Sequence, residues 1–327
     1  MSEPTGGHRE RLRRVRFKYL IGELHLASWR PLLQELSRPA DCTGPWPRPG
    51  DASPDLLASE ASGYQCRFVP QEQLPVGTCR LGPWLCYVPR REILYFIEVA
   101  GTFEEYLGRR SSKSRYNLKR SLKKLQERNP DGLLEIADTP QAIPAFLGKA
   151  AGISRQTYQS RLLNSGLADT PEARAAMEAL AARGMGRGYL LRDGGRPIAF
   201  AWCSGEGDRL TYDVIGYLEE TAPLSPGTVL LYLIVEDLFR LGRFRIFDFG
   251  VGEAPYKRMF ATGSLEFVDA CLFRPTVAHR LLVGLHWHLD RAVSRVGAVL
   301  DRAGLKARVK GLLRRLRGGG SRSAPIE

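Results

Sequence analysis

Between Gly186 and Gly252 the chain sets short apolar runs against turn residues in an order that few folds accommodate. Residues 188–192 and 196–202 are strand-like runs joined through Asp193-Gly194-Gly195, which reads as a hairpin turn. Gly205-Glu206-Gly207-Asp208 then leads into a third run, 210–217. Ser225-Pro226-Gly227 follows, and a long apolar stretch from Thr228 to Leu241 closes at Gly242. That is the pattern of a helix with Ser225 as N-cap, Pro226 at the first position and glycine past the end. The run 244–249 returns as a strand, and 265–273 supplies a last one. A strand, a loop and a helix N-terminus in that order can form a phosphate-binding corner.

Such a helix start carries free N–H groups and the positive end of the helix dipole, so it favours a phosphate. Ser225, Pro226, Gly227 and Thr228 are therefore candidate cofactor-binding residues, with Tyr217 and Tyr232 placed to flank them. Two other phosphate sites are excluded. The chain has no G-x-x-x-x-G-K-[ST] loop. Its glycine-rich segment, Gly184-Met185-Gly186-Arg187-Gly188, lies between a helix and a strand, the wrong order for a dinucleotide fold.

The 327 residues carry 48 Lys and Arg against 35 Asp and Glu, a net charge of +13, which favours anionic partners such as coenzymes, nucleotides or anionic lipid. The six cysteines (Cys42, Cys66, Cys79, Cys86, Cys203 and Cys271) show no C-x-x-C spacing, and the five histidines form no metal pair or catalytic triad. No metal is expected. Neither a secretory leader nor a run of roughly 20 apolar residues is found, so a cytoplasmic protein is expected, at most peripheral at the inner face of the membrane.

Five segments are expected. Residues 1–15 read as a disordered basic N-terminus, and 16–101 as a small α/β half with a strand and short helix within 17–29. Residues 102–129 form a basic linking helix opened by the capping box Thr102-Phe103-Glu104-Glu105, with Leu118, Leu122 and Leu125 as its apolar stripe. Residues 130–275 form the second α/β half. Residues 276–327 are basic amphipathic helices and a tail, with Leu281, Leu285, Leu289, Val293, Val296 and Leu300 at helical spacing. They are expected to pack on the body, or else to lie on an anionic membrane.

Three stretches between about Phe103 and Phe273 resemble the acetyltransferases associated with bacterial cellulose and exopolysaccharide biosynthesis, a branch of the GNAT superfamily. They are Ser114-Arg115-Tyr116-Asn117-Leu118-Lys119-Arg120, then Gly195–Phe200 with Leu210–Asp213 and Leu224–Leu230, and last Phe247-Asp248-Phe249-Gly250 with Tyr256-Lys257. The resemblance implies an α/β (α+β) fold, a GNAT-like mixed sheet flanked by helices, with two such halves in tandem plus C-terminal helices. It implies acetyl-CoA or another acyl-CoA as co-substrate, its pyrophosphate at the Ser225–Thr228 corner. The acceptor would be a sugar, polysaccharide or cell-envelope precursor. The usual Q/R-x-x-G-x-G/A loop is represented by Gly227 alone. Fem-type aminoacyl transferases share the double architecture and use aminoacyl-tRNA, so that donor stays open; other nucleic acid is not expected. A non-catalytic protein binding polyanions or membranes is the third reading.

Acyl transfer needs a polarised carbonyl, a base for the acceptor and a proton donor for the leaving group. The polarising N–H would come from 212–216, where Gly216 suits a bulge. Asp213 and Asp248 are the base candidates, each a carboxylate in an apolar strand. Tyr212, Tyr217 and Tyr256 are candidate acids, and Lys257 and Arg258 candidate contacts to an anionic acceptor. Arg115 and Asn117, matched to the family motif, are candidates for substrate or interdomain contacts.

Overall fold

The computed structural model describes residues 12–302 apart from 22–23, 37–48, 50–51, 131, 157–165 and 168. Residues 303–327 of the expected C-terminal helices and tail, the N-terminal residues 1–11 and Cys42 lie outside the described residues. The chain forms two compact units, one of residues 1–92 and 266–327, the other of residues 93–265.

The elements run in chain order as follows. Strands β1 (Leu12–Arg14), β2 (Phe17–Ile21), β3 (Leu24–Trp29) and β4 (Leu32–Leu36) come first, then β5 (Gly63–Pro70), β6 (Gly77–Leu81), β7 (Trp84–Val88) and β8 (Arg91–Glu98). Helices α1 (Phe103–Gly108) and α2 (Ser112–Gln126) precede β9 (Leu134–Ala137), α3 (Ile143–Gln156) and α4 (Pro171–Ala182). Strands β10 (Gly186–Asp193), β11 (Arg196–Glu206) and β12 (Arg209–Tyr217) lead to α5 (Pro226–Leu241) and β13 (Ile246–Val251). The last elements are α6 (Pro255–Phe260), β14 (Gly263–Phe273) and α7 (Val277–Arg302).

In the first unit β5 pairs with β4 in parallel and with β14 antiparallel, and β14 also pairs with β7, which pairs with β6. Two expectations are corrected here. Leu12–Arg14, expected to be disordered, pairs as β1 along β4. Residues 17–29 form the hairpin β2–β3 and no helix. Phe17 and Tyr19 alternate inward from that hairpin, and the period of two is what a half-buried strand requires. Helix α7 packs on β2 and β6. The face it buries carries Val283 and the half-buried Trp287, while Leu281 and Leu285 of the expected core stripe stay exposed.

The second unit is a sheet in the order β8-β13-β12-β11-β10-β9, flanked by helices. Strands β9 to β12 are antiparallel neighbours, whereas β12 and β13 are parallel and joined by the crossover helix α5. The basic segment 102–129 divides into two helices. Thr102 and Glu105 close the capping box of α1, and Ser111 caps α2 through the Ser114 N–H. Leu118 and Leu125 are the buried residues of α2, so its lysines and arginines face outward. The glycine-rich run has a packing role: a Cβ on Gly188 would lie 2.8 Å from the ring of Phe146 on α3.

One polar network ties α5 to the sheet. Arg187 on β10, 7% exposed, donates to Asp237 on α5 at 2.8 Å, to Asp138 at 2.9 Å and to the Tyr189 hydroxyl at 3.0 Å. Tyr189 also donates to Asp237 at 3.0 Å, and Arg240 completes that carboxylate at 2.6 Å. Removing one partner of such a cluster strands a buried charge. Arg187→Met is expected to lower the unfolding free energy by about 3 kcal/mol in urea titration, with Asp237 left to the Tyr189 hydroxyl and the exposed Arg240. An unchanged midpoint would mean that the network contributes nothing net.

Candidate functional site

Parallel pairing between β12 and β13 is brief. It covers Arg209 with Ile246, Leu210 with Phe247 and Thr211 with Asp248, and it stops there. Beyond Thr211, residues 212–217 of β12 have no pairing with β13, and the two strands diverge. Asp248 makes the divergence. Its Oδ1 accepts the Gly250 N–H at 2.7 Å and its Oδ2 accepts Arg209 Nη1 at 2.9 Å. The turn this stabilises needs left-handed backbone, which Gly250 (φ 70°) and Gly252 (φ 101°) supply. The register of β13 against β8 shifts at the same place, between Asp248 and Val251. Lys257, buried on α6, then clamps the turn by donating to the carbonyls of Gly250 (3.0 Å) and Val251 (3.1 Å). Burial pulls its ammonium below the usual lysine range, and Asp248 opposes that shift.

On the other side of β12 there is a bulge, at Asp213 and not at Gly216 as expected. Trp202 pairs with Val214 and Cys203 with Tyr212, so Asp213 is the extra residue, while Gly216 pairs regularly with Phe200. The bulge turns the Asp213 side chain outward, to an exposed position. Lost hydration still raises its pKa above 3.8; the Ser204 hydrogen bonds lower it, and the nearby Asp248 carboxylate raises it. The two aspartates therefore differ. Asp248 is buried with both oxygens engaged, and Asp213 is accessible with a raised affinity for protons.

The aromatic residues line the base of the divergence. Tyr212 is buried against Phe247 (centroids 5.6 Å apart) and Phe249 (6.2 Å). Tyr256 on α6 is half-buried and meets Phe249 edge-on at 6.1 Å. Burial pushes both phenols up, so they hold their protons at neutral pH.

The helix start lies at the same end of the sheet, because parallel strands joined by a crossover present both carboxyl ends together. Ser225 occupies the N-cap position in left-handed backbone (φ 54°), but its hydroxyl caps nothing. Its carbonyl accepts the N–H groups of Thr228 and Val229, both at 3.1 Å, and its own N–H goes to Ala222. Pro226 has no N–H. The expected cluster of free amides thus reduces to one, the N–H of Gly227, which has no acceptor among the described residues. Half-exposed Tyr217 lies beside it, with a ring carbon 3.6 Å from where a Gly227 Cβ would sit. Tyr232, expected to flank the corner, packs instead in the core against Phe103 at 5.2 Å.

The remaining candidates are dispersed. Helix α2 packs against α5 and the turn 219–224, which brings a cationic helix beside the corner. On it Arg115 is half-buried and donates to Ser112 at 3.3 Å, and Asn117 is exposed. Arg258 is exposed. Among the described residues no group of three His, Cys, Asp or Glu side chains could hold a metal ion. The sequence reading missed Arg209, whose spacing from Asp248 carries no local signal. It also missed Ser204.

Residues 112–258 match the family described as the acetyltransferase (GNAT) domain. No curated protein matches the chain. Among solved structures, FemX aligns over 83% of this chain and 90% of its own at 10% identity, with a TM-score of 0.50. The C-terminal domain of a protein assigned as lysylphosphatidylglycerol synthetase from Agrobacterium fabrum aligns at 15% identity over 62% of this chain and 66% of that one, TM-score 0.42. L-PGS from Bacillus licheniformis aligns at 12% identity over 63% and 67%, TM-score 0.42. The chain thus spans about two thirds of the length of each of these two relatives. The second unit is GNAT-like in fold, a mixed sheet flanked by helices, and that is the fold of acyltransferases.

The raised pKa of Asp213 has a signed consequence. The folded protein holds that proton to higher pH than the unfolded chain, so the stability linked to it is lost as pH rises from 3.8 through the folded value. Urea midpoints of wild type and Asp213→Asn are expected to change unequally between pH 4 and pH 7, about in line with that linkage, the variant gaining relative stability at the higher pH. Parallel behaviour of the two would place Asp213 in free solvent.

Proposed function

We propose that the second unit transfers an acyl group from an acyl-CoA, acetyl-CoA or a longer homologue, to an amine or hydroxyl of a sugar or cell-envelope precursor. The observation that carries the reading is convergence. The unpaired stretch of β12, the free Gly227 N–H, the accessible Asp213 and the half-buried Tyr256 all belong to one end of one sheet. Gly227 and the cations of α2 would hold the coenzyme diphosphate; a single free amide fits such a group less fully than a glycine-rich loop. Backbone N–H on the unpaired edge of β12 would polarise the acyl carbonyl. The acceptor nitrogen or oxygen forms the new bond to the carbonyl carbon as the C–S bond breaks. Asp213 takes the acceptor proton, and Tyr256 returns one to the departing thiolate. Asp248 and Lys257 act as positioning residues that keep the strands apart.

A second reading, transfer from aminoacyl-tRNA, is favoured by the alignment with FemX over most of this chain and by the exposed basic face of α2. Radiolabelled acetyl-CoA and charged tRNA, each offered with amine acceptors, separate the two donors. Label transfer from the thioester alone supports the first reading, and transfer from tRNA alone replaces it. For the corner itself, Gly227→Leu should weaken acetyl-CoA binding at least about tenfold by calorimetry, whereas Gly227→Ala, whose Cβ meets Tyr217 at an ordinary 3.6 Å, should change it little. Equal affinity in all three proteins would move the diphosphate elsewhere.

The exposed face of α7 supports a further part of the proposal, peripheral contact of the C-terminal helix with an anionic membrane surface. Val277, Leu281, Leu285, Val296 and Val299 form an apolar stripe on α7, each at least 58% exposed. Arg280, Arg291 and Arg295 are exposed on the same helix, and Lys306, Arg308, Lys310, Arg314, Arg315 and Arg317 follow in the sequence. Apolar side chains interleaved with arginine match an interfacial helix on anionic lipid. No described helix is long and apolar enough to cross a membrane. The full chain should co-sediment with phosphatidylglycerol vesicles, less so at high salt, and a Leu281→Glu, Leu285→Glu variant should stay in solution. Retained binding by that variant, or an apolar-stripe dimer in solution, would reject the assignment.

A further inference from the structure

The hairpin of β6 and β7 sets two cysteines opposite each other. The chain turns back through Gly82-Pro83, with Gly82 at φ 54°, and Leu81 closes the turn against Trp84. Counting outward from the turn, Arg80 faces Leu85 and Cys79 faces Cys86. Facing residues of an antiparallel pair hold their Cα atoms about 4.5–5.5 Å apart and project their side chains from the same side of the sheet. A disulfide spans Cα separations of about 4.4–6.8 Å. Bridging this pair asks for roughly 1 Å of approach between the two Cβ atoms. Among the described strands β6 pairs with β7 alone, so no second ladder resists that approach.

Accessibility orders the two thiols. Cys79 is half-buried, whereas Cys86 is enclosed in the same apolar cluster as Cys66, Trp84 and Leu272. Cys66, Cys203 and Cys271 are buried as well, so among the described residues Cys79 is the thiol that a solute reaches. Burial pushes the Cys86 thiol up, and the adjacent Cys79 adds to the rise. Cys86 is therefore a poor first nucleophile, and part of what holds its proton is removed once Cys79 is capped.

We propose that Cys79 and Cys86 form a reversible thiol–disulfide pair, oxidised by exchange with a small-molecule disulfide. The Cys79 thiolate attacks one sulfur of that molecule, its S–S bond breaks, and the first small thiolate leaves and takes up the proton that Cys79 shed. The Cys86 sulfur then attacks Cys79 Sγ, the mixed disulfide breaks, and the second small thiolate leaves with the Cys86 proton. The protein gives up two hydrogens with two electrons, and one small disulfide becomes two thiols. The bond would brace the strand on which α7 rests, where a Cβ on Gly77 of β6 would lie 3.3 Å from the Trp287 ring. None of this rests on the acyl-transfer reading, because both cysteines belong to the first unit.

The test is to incubate the full chain with oxidised glutathione at about pH 8, quench it with acid, alkylate it in urea and map its peptides. Trypsin cuts after Arg67, Arg80 and Arg90, so the bond is read as residues 68–80 joined to residues 81–90. That joined pair should appear in wild type, and dithiothreitol should separate it. Cys79→Ser should leave Cys86 alkylated and unbridged, and Cys86→Ala should stop with glutathione on Cys79. The oxidised full chain should unfold at a higher urea concentration than the reduced one. The proposal is overturned by alkylation of both cysteines after oxidation, by a lasting glutathione adduct on wild-type Cys79, or by a bridge from either cysteine to a third. A lower urea midpoint for the oxidised protein would also overturn it, since a pair matched by the hairpin register should not distort the fold.

Discussion

The carboxylate of Asp248 sets the geometry of the second unit. It is buried near the end of β13, where burial without partners would be prohibitive, and it satisfies itself with the Gly250 N–H and the Arg209 guanidinium. Those bonds end the parallel pairing after three residues. Everything chemically distinctive follows from that early stop. The edge of β12 is left unpaired, Tyr212 and Phe249 fill the base of the opening, and Lys257 seals the turn from below. A sheet that continued to pair would present no peptide groups to a substrate.

Two kinds of burial support this frame. The second unit has an apolar core shared by α1, α2, α3, α5 and the sheet, with large side chains such as Phe146, Phe200 and Phe247 at most 1% exposed. Across it runs the Arg187, Tyr189 and Asp237 network, which fixes α5 in direction and therefore fixes where Gly227 points. The first unit has smaller clusters around Tyr64 and Phe273. Cys66, Cys86 and Cys271 are buried among them; the Cys66 thiol is pushed up to about 12, so it stays protonated and unreactive.

Much of the second unit was legible in the residues. Alternation and turn chemistry located the hairpin at Asp193-Gly194-Gly195, the capping box at Thr102, and a helix beginning at Pro226. These signals are local, and local backbone preference decides them. The errors fell where pairing partners decide. Asp213 and Gly216 are three residues apart in one strand, and only the register with β11 makes the former the bulge. On α7 the leucines at helical spacing suggested the packed face, yet the helix turns Val283 and Trp287 inward, because the aromatic residues Phe17, Tyr87 and Phe273 of three strands meet them there. Charge gave no warning of Arg209, since its ion pair joins residues 39 positions apart.

Sequence alone thus determined most of the order of strands and helices in the second unit, the helix start at Ser225-Pro226-Gly227, the cationic face of α2 and the candidate carboxylates. All of these depend on side-chain type and on spacing within one turn or one strand. Tertiary structure decided which carboxylate is buried and which is free, how many amides the helix start offers, and which apolar stripe stays in water. Those properties depend on which atoms compete for each hydrogen bond and each patch of surface, and the competitors come from remote parts of the chain.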